Sequence, residues 1–223
     1  MAETQGLIGY WLQQALSRHL ATPVVTLVTQ TVVDADDPAF NDPTKFVGSV
    51  YTEDEAKQVA SEHDWTFSKD GEGWRRVVAS PLPQRIVETP TAELLLRNGV
   101  TVVLAGGGGV PVIEGPHGLE GTEAVVDKDL VAAHVSEELG ADLLVILTDV
   151  PAVMVDFGTP QQRPLHEVSL VDLGAMAFPS GSMGPKVDAV CRFVKATGNR
   201  AAIGSLEEVA AVVAGTAGTQ VRP

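Results

Sequence analysis

Cysteine is nearly missing: Cys191 is the single one in 223 residues. An internal disulfide is therefore excluded, and a chain without cross-links fits a reducing compartment, the cytoplasm. A lone cysteine in an apolar helical stretch is expected to fill space rather than act as a nucleophile. Basic charge is scarce as well. Fifteen Lys and Arg against 29 Asp and Glu leave a formal net charge of −14. That balance excludes nucleic acid as a partner, because binding a phosphate backbone needs a basic face. It leaves room for a phosphorylated small molecule, since a few placed lysines reverse the local field. No uncharged apolar run reaches the roughly 18 residues that read as a membrane span, and the best apolar segment, Leu143 to Leu147, has the length of a strand. Met1 to Gln5 lacks the basic-then-apolar order of a secretory signal. Internal repeats and low-complexity tracts are missing too. His19, His63, His117, His134 and His166 show no ligand spacing, so no structural metal is expected. No Ser/His/Asp arrangement stands out.

What is present reads as α/β. Hydrophobic residues make up 44% of the chain, enough for a sizeable core in one or two domains. Leu7, Ile8, Trp11, Leu12, Ala15, Leu16 and Leu20 share one helical face. The β-branched stretch Val24 to Val33 reads as a strand. A helix thus comes before the first strand, as if the chain opened in the middle of an α/β unit. Residues 34–85 form a different sort of stretch. Turn signals at Asp34 to Pro38 and Asn41 to Lys45 come first. A capping box at Thr52 to Glu55 then starts a helix to about His63, and Asp70-Gly71 marks a hairpin between Phe67 and Val78. Helices are expected from Thr89-Pro90 to Gly99, from Asp127 to Leu139, from Pro185 to Ala196, and from a second capping box at Ser205 to Ala214. Strands are expected at 100–104, 110–112, 143–147, 153–155 and 201–203. Strands alternating with helices predict a mostly parallel sheet covered on both faces. The domain reading is 1–33 as part of an N-terminal lobe, 34–85 as a small protruding subdomain, and 86–223 as an α/β lobe that binds nucleotide.

Several short runs carry candidate chemistry. Gly106 to Gly109 follows a strand, where glycines let a backbone approach a phosphate closely, or simply make a tight turn. The run matches neither a P-loop nor the Rossmann fingerprint. Asp127-Lys128-Asp129 stands at a helix start, either as acids favoured by the dipole or as a lysine for phosphate oxygens with an acid that orders lysines. Thr148 and Asp149 end a central strand, where α/β sheets place ligands and where the same pair could merely cap a turn. Gly181-Ser182-Met183-Gly184-Pro185-Lys186 leads into a helix, with Lys186 within reach of a transferring phosphoryl group. Lys45 sits at a turn. Arg75 and Arg76 could attract a small anion or lie along the hairpin surface.

The runs Thr4 to Trp11, Asn41 to Lys45, Gly73 to Val78, Gly106 to Pro111, Glu123 to Asp129 and Gly181 to Lys186 resemble the carbamate kinases of the amino acid kinase superfamily. The likeness covers nearly the whole chain. The Pro-Thr-Lys and Gly-Trp-Arg segments inside the excursion are the specific ones. The resemblance implies a three-layer α/β/α sandwich assembled as a homodimer. It implies phosphoryl transfer between ATP and carbamate, running mainly from carbamoyl phosphate and ADP to ATP, with Mg²⁺ on the nucleotide phosphates, as in arginine metabolism. By position, Lys45 and Lys186 would stabilise the transferring group, Asp129 would organise the lysines, and Lys128 would contact nucleotide phosphates. Gly106, Gly107, Gly108 and Gly109 would approach the acceptor region. Thr148, Asp149, Gly181, Ser182, Met183 and Lys186 would shape the nucleotide site. The family's opening strand with its Gly-Gly-Asn-Ala loop, and its later His-Gly-Asn-Gly-Pro loop, would precede Thr4 and are not in these residues. The expectation is therefore an N-terminally shortened kinase with apolar surface left uncovered. The alternative is a catalytically dead nucleotide-binding or dimerisation module. A related kinase for another acceptor is disfavoured by the Pro-Thr-Lys excursion.

Overall fold

Apolar alternation and glycine punctuation resolve into two compact units in the computed structural model, Met1–Lys128 and Asp129–Pro223. The structure describes residues 1–178 and 183–223. The stretches 1–33 and 34–85 both fall inside the first unit, whereas 86–223 runs across the division.

The first unit opens on helix α1 (Ala2–Ser17), followed by β1 (Val24–Thr26) and β2 (Gln30–Val33). The single strand expected over 24–33 is broken at Leu27 to Thr29 because the chain changes partner there. Leu27 N–H still reaches Val103 O at 2.9 Å, but Thr29 O accepts from Val110 N–H at 2.8 Å. Strand β3 (Lys45–Tyr51), helix α2 (Glu53–His63), β4 (Thr66–Asp70) and β5 (Gly73–Val78) then make the excursion, a three-stranded antiparallel sheet ordered β3-β5-β4. The expected capping box is formed. Thr52 accepts from Glu55 N–H, and the Glu55 carboxylate accepts from Thr52 N–H at 2.9 Å. Strand β6 (Pro83–Ile86), helix α3 (Thr89–Arg97), β7 (Thr101–Val103), a 3-10 turn at Gly106–Gly108, β8 (Val110–Gly115) and β9 (Gly118–Gly121) complete the unit. The parallel pairs are β1 with β7 and β2 with β8; β6 and β9 flank them antiparallel.

Helix α1 packs by an unexpected face. Its inward line is Gln5, Gly9 and Gln13, not the leucine stripe. Gln5 donates to Thr29 O at 3.1 Å and accepts from Thr29 N–H at 3.0 Å, while Gln13 accepts from Thr26 N–H at 2.9 Å. Thr26 Oγ1 donates to Gly9 O at 2.9 Å, an approach so close that a Cβ on Gly9 would overlap Thr26 Cγ2. Amide side chains thus satisfy backbone groups stranded where the chain leaves one ladder for the next. Leu7, Ile8, Trp11 and Leu12 consequently stay 46–58% exposed.

Helix α4 (Lys128–Glu138) leads into the second unit, with β10 (Leu143–Thr148), β11 (Val153–Val155), β12 (Arg163–Leu165), β13 (Glu167–Ser169), α5 (Leu170–Gly174), α6 (Met183–Thr197), β14 (Arg200–Ser205), α7 (Val209–Ala214) and β15 (Thr219–Arg222). Its sheet is ordered β10-β14-β15-β13, parallel at β10/β14 and β13/β15. The α6 line Val187, Val190, Phe193 and Val194 is buried against Leu144, Ile146, Ala201, Ile203 and Val221. The expected second capping box is instead a short 3-10 turn, Leu206–Glu208, whose cap Ser205 accepts from Glu207 N–H, and α7 begins only after it. The repeating strand–helix order places the chain in the α/β class.

Thr52→Ala is expected to destabilise the excursion by about 1 kcal/mol, as for other lost N-caps. The cap hydrogen bonds hold the Glu55 pKa below its ordinary value. Its share of the stability is therefore present at neutral pH and disappears as pH falls through the depressed pKa. Amide exchange along α2, followed at pH 7 and in acid, checks both: the wild type should approach the variant only in acid.

Candidate functional site

Two carboxylates are buried with a single residue between them in the chain. Asp127 and Asp129 are 7% and 6% exposed, and an ionised carboxylate so far from water needs a partner. Each has a lysine. Lys45 Nζ donates to Asp127 Oδ2 at 2.7 Å, within the first unit. Lys186 Nζ donates to Asp129 Oδ2 at 2.9 Å, within the second, where both side chains are well covered. Lys128 lies between the acids and is exposed at the start of α4. Asp127 just before that helix and Asp129 in its first turn stand where the positive end of the dipole favours acids.

In the first unit, Lys45 begins β3 opposite Val78 of β5. The segment carrying Asp127 runs beside the continuation of β5: Ala79 bridges to Ala124, Val125 N–H donates to Ala79 O at 2.9 Å, and Ser80 Oγ donates to Val125 O at 2.9 Å. The glycine turn lies against the same segment. Gly108 has φ +100°, and a Cβ there would run into Val126 O and come within 3.4 Å of Lys128 N. A Cβ on Gly106 would meet only Gln5 Cγ at 3.4 Å, an ordinary contact. Gly108 is therefore demanded by the approach to the Val126 carbonyl, and Gly106 is not. Two threonines hold the turn from β2 and the residue before it: Thr29 Oγ1 accepts from Ala105 N–H at 2.8 Å, and Thr31 Oγ1 donates to Gly108 O at 2.8 Å. Ala105 adopts φ +56°, a strained conformation for a residue with a Cβ.

In the second unit, Thr148 closes β10 and donates through Oγ1 to Asp149 Oδ1 at 3.0 Å. Met183 starts α6 and packs partly buried on the core, and Lys186 follows in the first turn of that helix. Gly181 and Ser182 lie outside the described residues. Cys191 on α6 is half-buried. Burial, and then the nearby Asp188 charge, push its thiol pKa up, which makes it a weak nucleophile.

Of the expected residues, Lys45, Asp129 and Lys186 are members of these ion pairs and Lys128 lies between the two acids; of the glycines only Gly108 comes against the segment that carries them, whereas Gly106, Gly107 and Gly109 face Gln5, Met1 and Thr31. Asp127, Thr29 and Thr31 were missed. The acid at 127 was visible in the triplet but was read only as a helix-start charge. The threonines interrupt an apolar strand with period 2, which is the one signal they leave. Arg75 and Arg76 are already engaged by acids, Arg75 with Asp70 at 2.9 Å and Arg76 with Glu123.

The sequence model of the Amino acid kinase family matches residues 24–205. Carbamate kinase from Haemophilus influenzae is 48% identical over 223 residues, covering 99% of this chain and 72% of the relative. Carbamate kinase from Escherichia coli K12 is 46% identical over 220 residues, covering 98% and 73%. Among solved structures, carbamate kinase from Giardia lamblia bound to AMP-PNP superposes with a TM-score of 0.89 at 39% identity, covering 99% of this chain and 73% of that one.

Gly108→Ala should cost more than Gly118→Ala in urea denaturation. Gly118 also has positive φ, +119°, but open space around it, so it reports the conformational penalty alone. The expected excess is about 1–3 kcal/mol, the cost of overpacking. Equal losses would mean that the turn does not press on residues 126–128.

Proposed function

The chain belongs to the amino acid kinase family and, within it, to the carbamate kinases, and on that premise we propose how its residues divide the work. The phosphorus–oxygen bond of carbamoyl phosphate breaks, carbamate leaves with that oxygen, and a terminal oxygen of ADP takes the phosphoryl group to give ATP. The reverse reaction follows the same path. Such a transfer has a loose transition state with charge spread over three oxygens, so the protein's task is neutralisation and alignment rather than covalent chemistry.

The observation that carries the reading is the two Lys–Asp pairs, made by buried acids that a single residue separates in the chain. Lys45 and Lys186 stabilise the migrating phosphoryl group, and Lys128 takes nucleotide phosphates. Asp129 aims Lys186, and Asp127 does the same for Lys45. Paired to ammonium groups, these carboxylates act as orienting groups and not as bases. Gly106 to Gly109 lie at the acceptor side. Thr148, Asp149, Gly181, Ser182 and Met183 shape the nucleotide side. Mg²⁺ arrives on the phosphate oxygens of the nucleotide, where it neutralises charge. Among the described residues no group of three or more His, Cys, Asp and Glu is placed to hold a metal. The chain works as a cytoplasmic homodimer in this reading. The single thiol supports the compartment, and the exposed apolar residues of α1 support burial against a second copy. No helix of the described residues is long and apolar enough to cross a membrane.

The test is ATP formation from ADP and carbamoyl phosphate, with ADP binding followed by calorimetry. Lys186→Ala is expected to lower kcat by about 10²–10³, the range for loss of one electrostatic stabiliser, and to weaken ADP binding. Binding of ADP by the wild type without any turnover would favour the inactive module. ADP binding unchanged in Lys186→Ala would remove Lys186 from the nucleotide site.

A further inference from the structure

Arg76 lies over an aromatic ring and pairs with an acid. Its Cζ lies 3.8 Å from the centroid of the Trp65 ring, and the Trp65 ring in turn stacks on His63 at 4.7 Å. An edge of the guanidinium pairs with the Glu123 carboxylate. Arg76 is only 18% exposed, whereas Glu123 is 71% exposed. An ion pair with one partner so open to water adds little to stability, so its consequence lies in where it holds the chain.

Arg76 is on β5, the central strand of its sheet, between Val47 and Phe67. Glu123 begins the segment that runs past Ala79 and Ser80 and ends at Asp127. The Ala79–Ala124 bridge and the Val125 N–H bond to Ala79 are the pivot of that segment. The Arg76–Glu123 pair grips it before the pivot, and Asp127 meets Lys45 after it. Lys45 is fixed to the same β5 through its register with Val78. One strand therefore determines both halves of the Lys45–Asp127 pair, and Arg76 sets the part that is not backbone.

We infer that Arg76, clamped between Trp65 and Glu123, is a positioning residue that holds Asp127 in register with β5 and so aims the Lys45 ammonium. The inference rests on the reading that Lys45 acts on the transferring phosphoryl group. Arginine suits this role because a planar guanidinium can stack on a ring and pair with a carboxylate at the same time. A lysine ammonium has no face to stack.

Arg76→Lys tests the inference, with Glu123→Gln as a second variant at an exposed position where folding is not at risk. Misplacing a catalytic group by about 1 Å costs on the order of 10²-fold. Arg76→Lys should therefore lower kcat by about 10- to 100-fold, with KM for ADP and carbamoyl phosphate moving less than about 3-fold. Glu123→Gln should lower kcat in the same way, and the double variant should lose no more than Arg76→Lys alone, as expected of residues that act as a unit. Exchange of the Val125 amide should quicken in both single variants, while the amides of β10 keep wild-type protection. Wild-type kcat in Arg76→Lys, a fall expressed in KM alone, or unchanged Val125 exchange would each overturn the inference. A wild-type chain that forms no ATP would sink the functional reading instead. The Val125 amide would then decide whether the clamp holds the segment: faster exchange in both variants supports it, and unchanged exchange overturns it.

Discussion

Two carboxylates that cannot be left alone organise this molecule. Asp127 and Asp129 are removed from water on either side of Lys128, and a buried anion without a counter-charge costs several kcal/mol. Each acid therefore draws a lysine from far along the chain, 82 residues away for Lys45 and 57 for Lys186. Neither pairing is local, so each requires that a whole unit be folded around it. The helix that starts between the acids contributes a dipole that favours both.

The first unit meets that demand with backbone rather than bulk. Strand β5 carries Lys45 through β3 and Asp127 through the segment beside Ala79 and Ser80. The glycine turn closes on the same segment because Gly108 has no Cβ, and Thr29 and Thr31 fix the turn from beside and within β2. Glutamines on α1 complete the hydrogen bonding where the chain changes ladders. The second unit relies on close packing instead. Lys186 projects from a helix whose inner line, through Phe193, is fully buried against the sheet. A helix packed in this way has little freedom to drift.

Under the proposed reading, this division gives the acids a use beside a phosphoryl-transfer reaction. A lysine free in solvent samples many rotamers, and ordering it during the reaction would cost entropy. A lysine already held by a buried carboxylate has met that cost during folding, so in the proposed reading its charge would be in place when negative charge develops on the transferring group. The acids reduce the net positive charge, and in exchange they supply direction.

Much of this was legible in the order of residues. The Thr52 to Glu55 cap, the hairpin after Phe67, the strand at 143–148 and the helix carrying Lys186 follow from propensity, periodicity and turn chemistry, all of which act over a few residues. The family resemblance also singled out Lys45, Asp129 and Lys186. What the order of residues left open was partnership. That Lys45 answers to Asp127, that Arg76 stacks on Trp65 instead of waiting for an anion, and that α1 turns its glutamines inward and its leucines out depended on contacts between distant segments. The reason is physical. A helical pattern says which residues share a face, but the direction that face takes is decided by what it meets, and here it met stranded backbone amides that only polar side chains could satisfy.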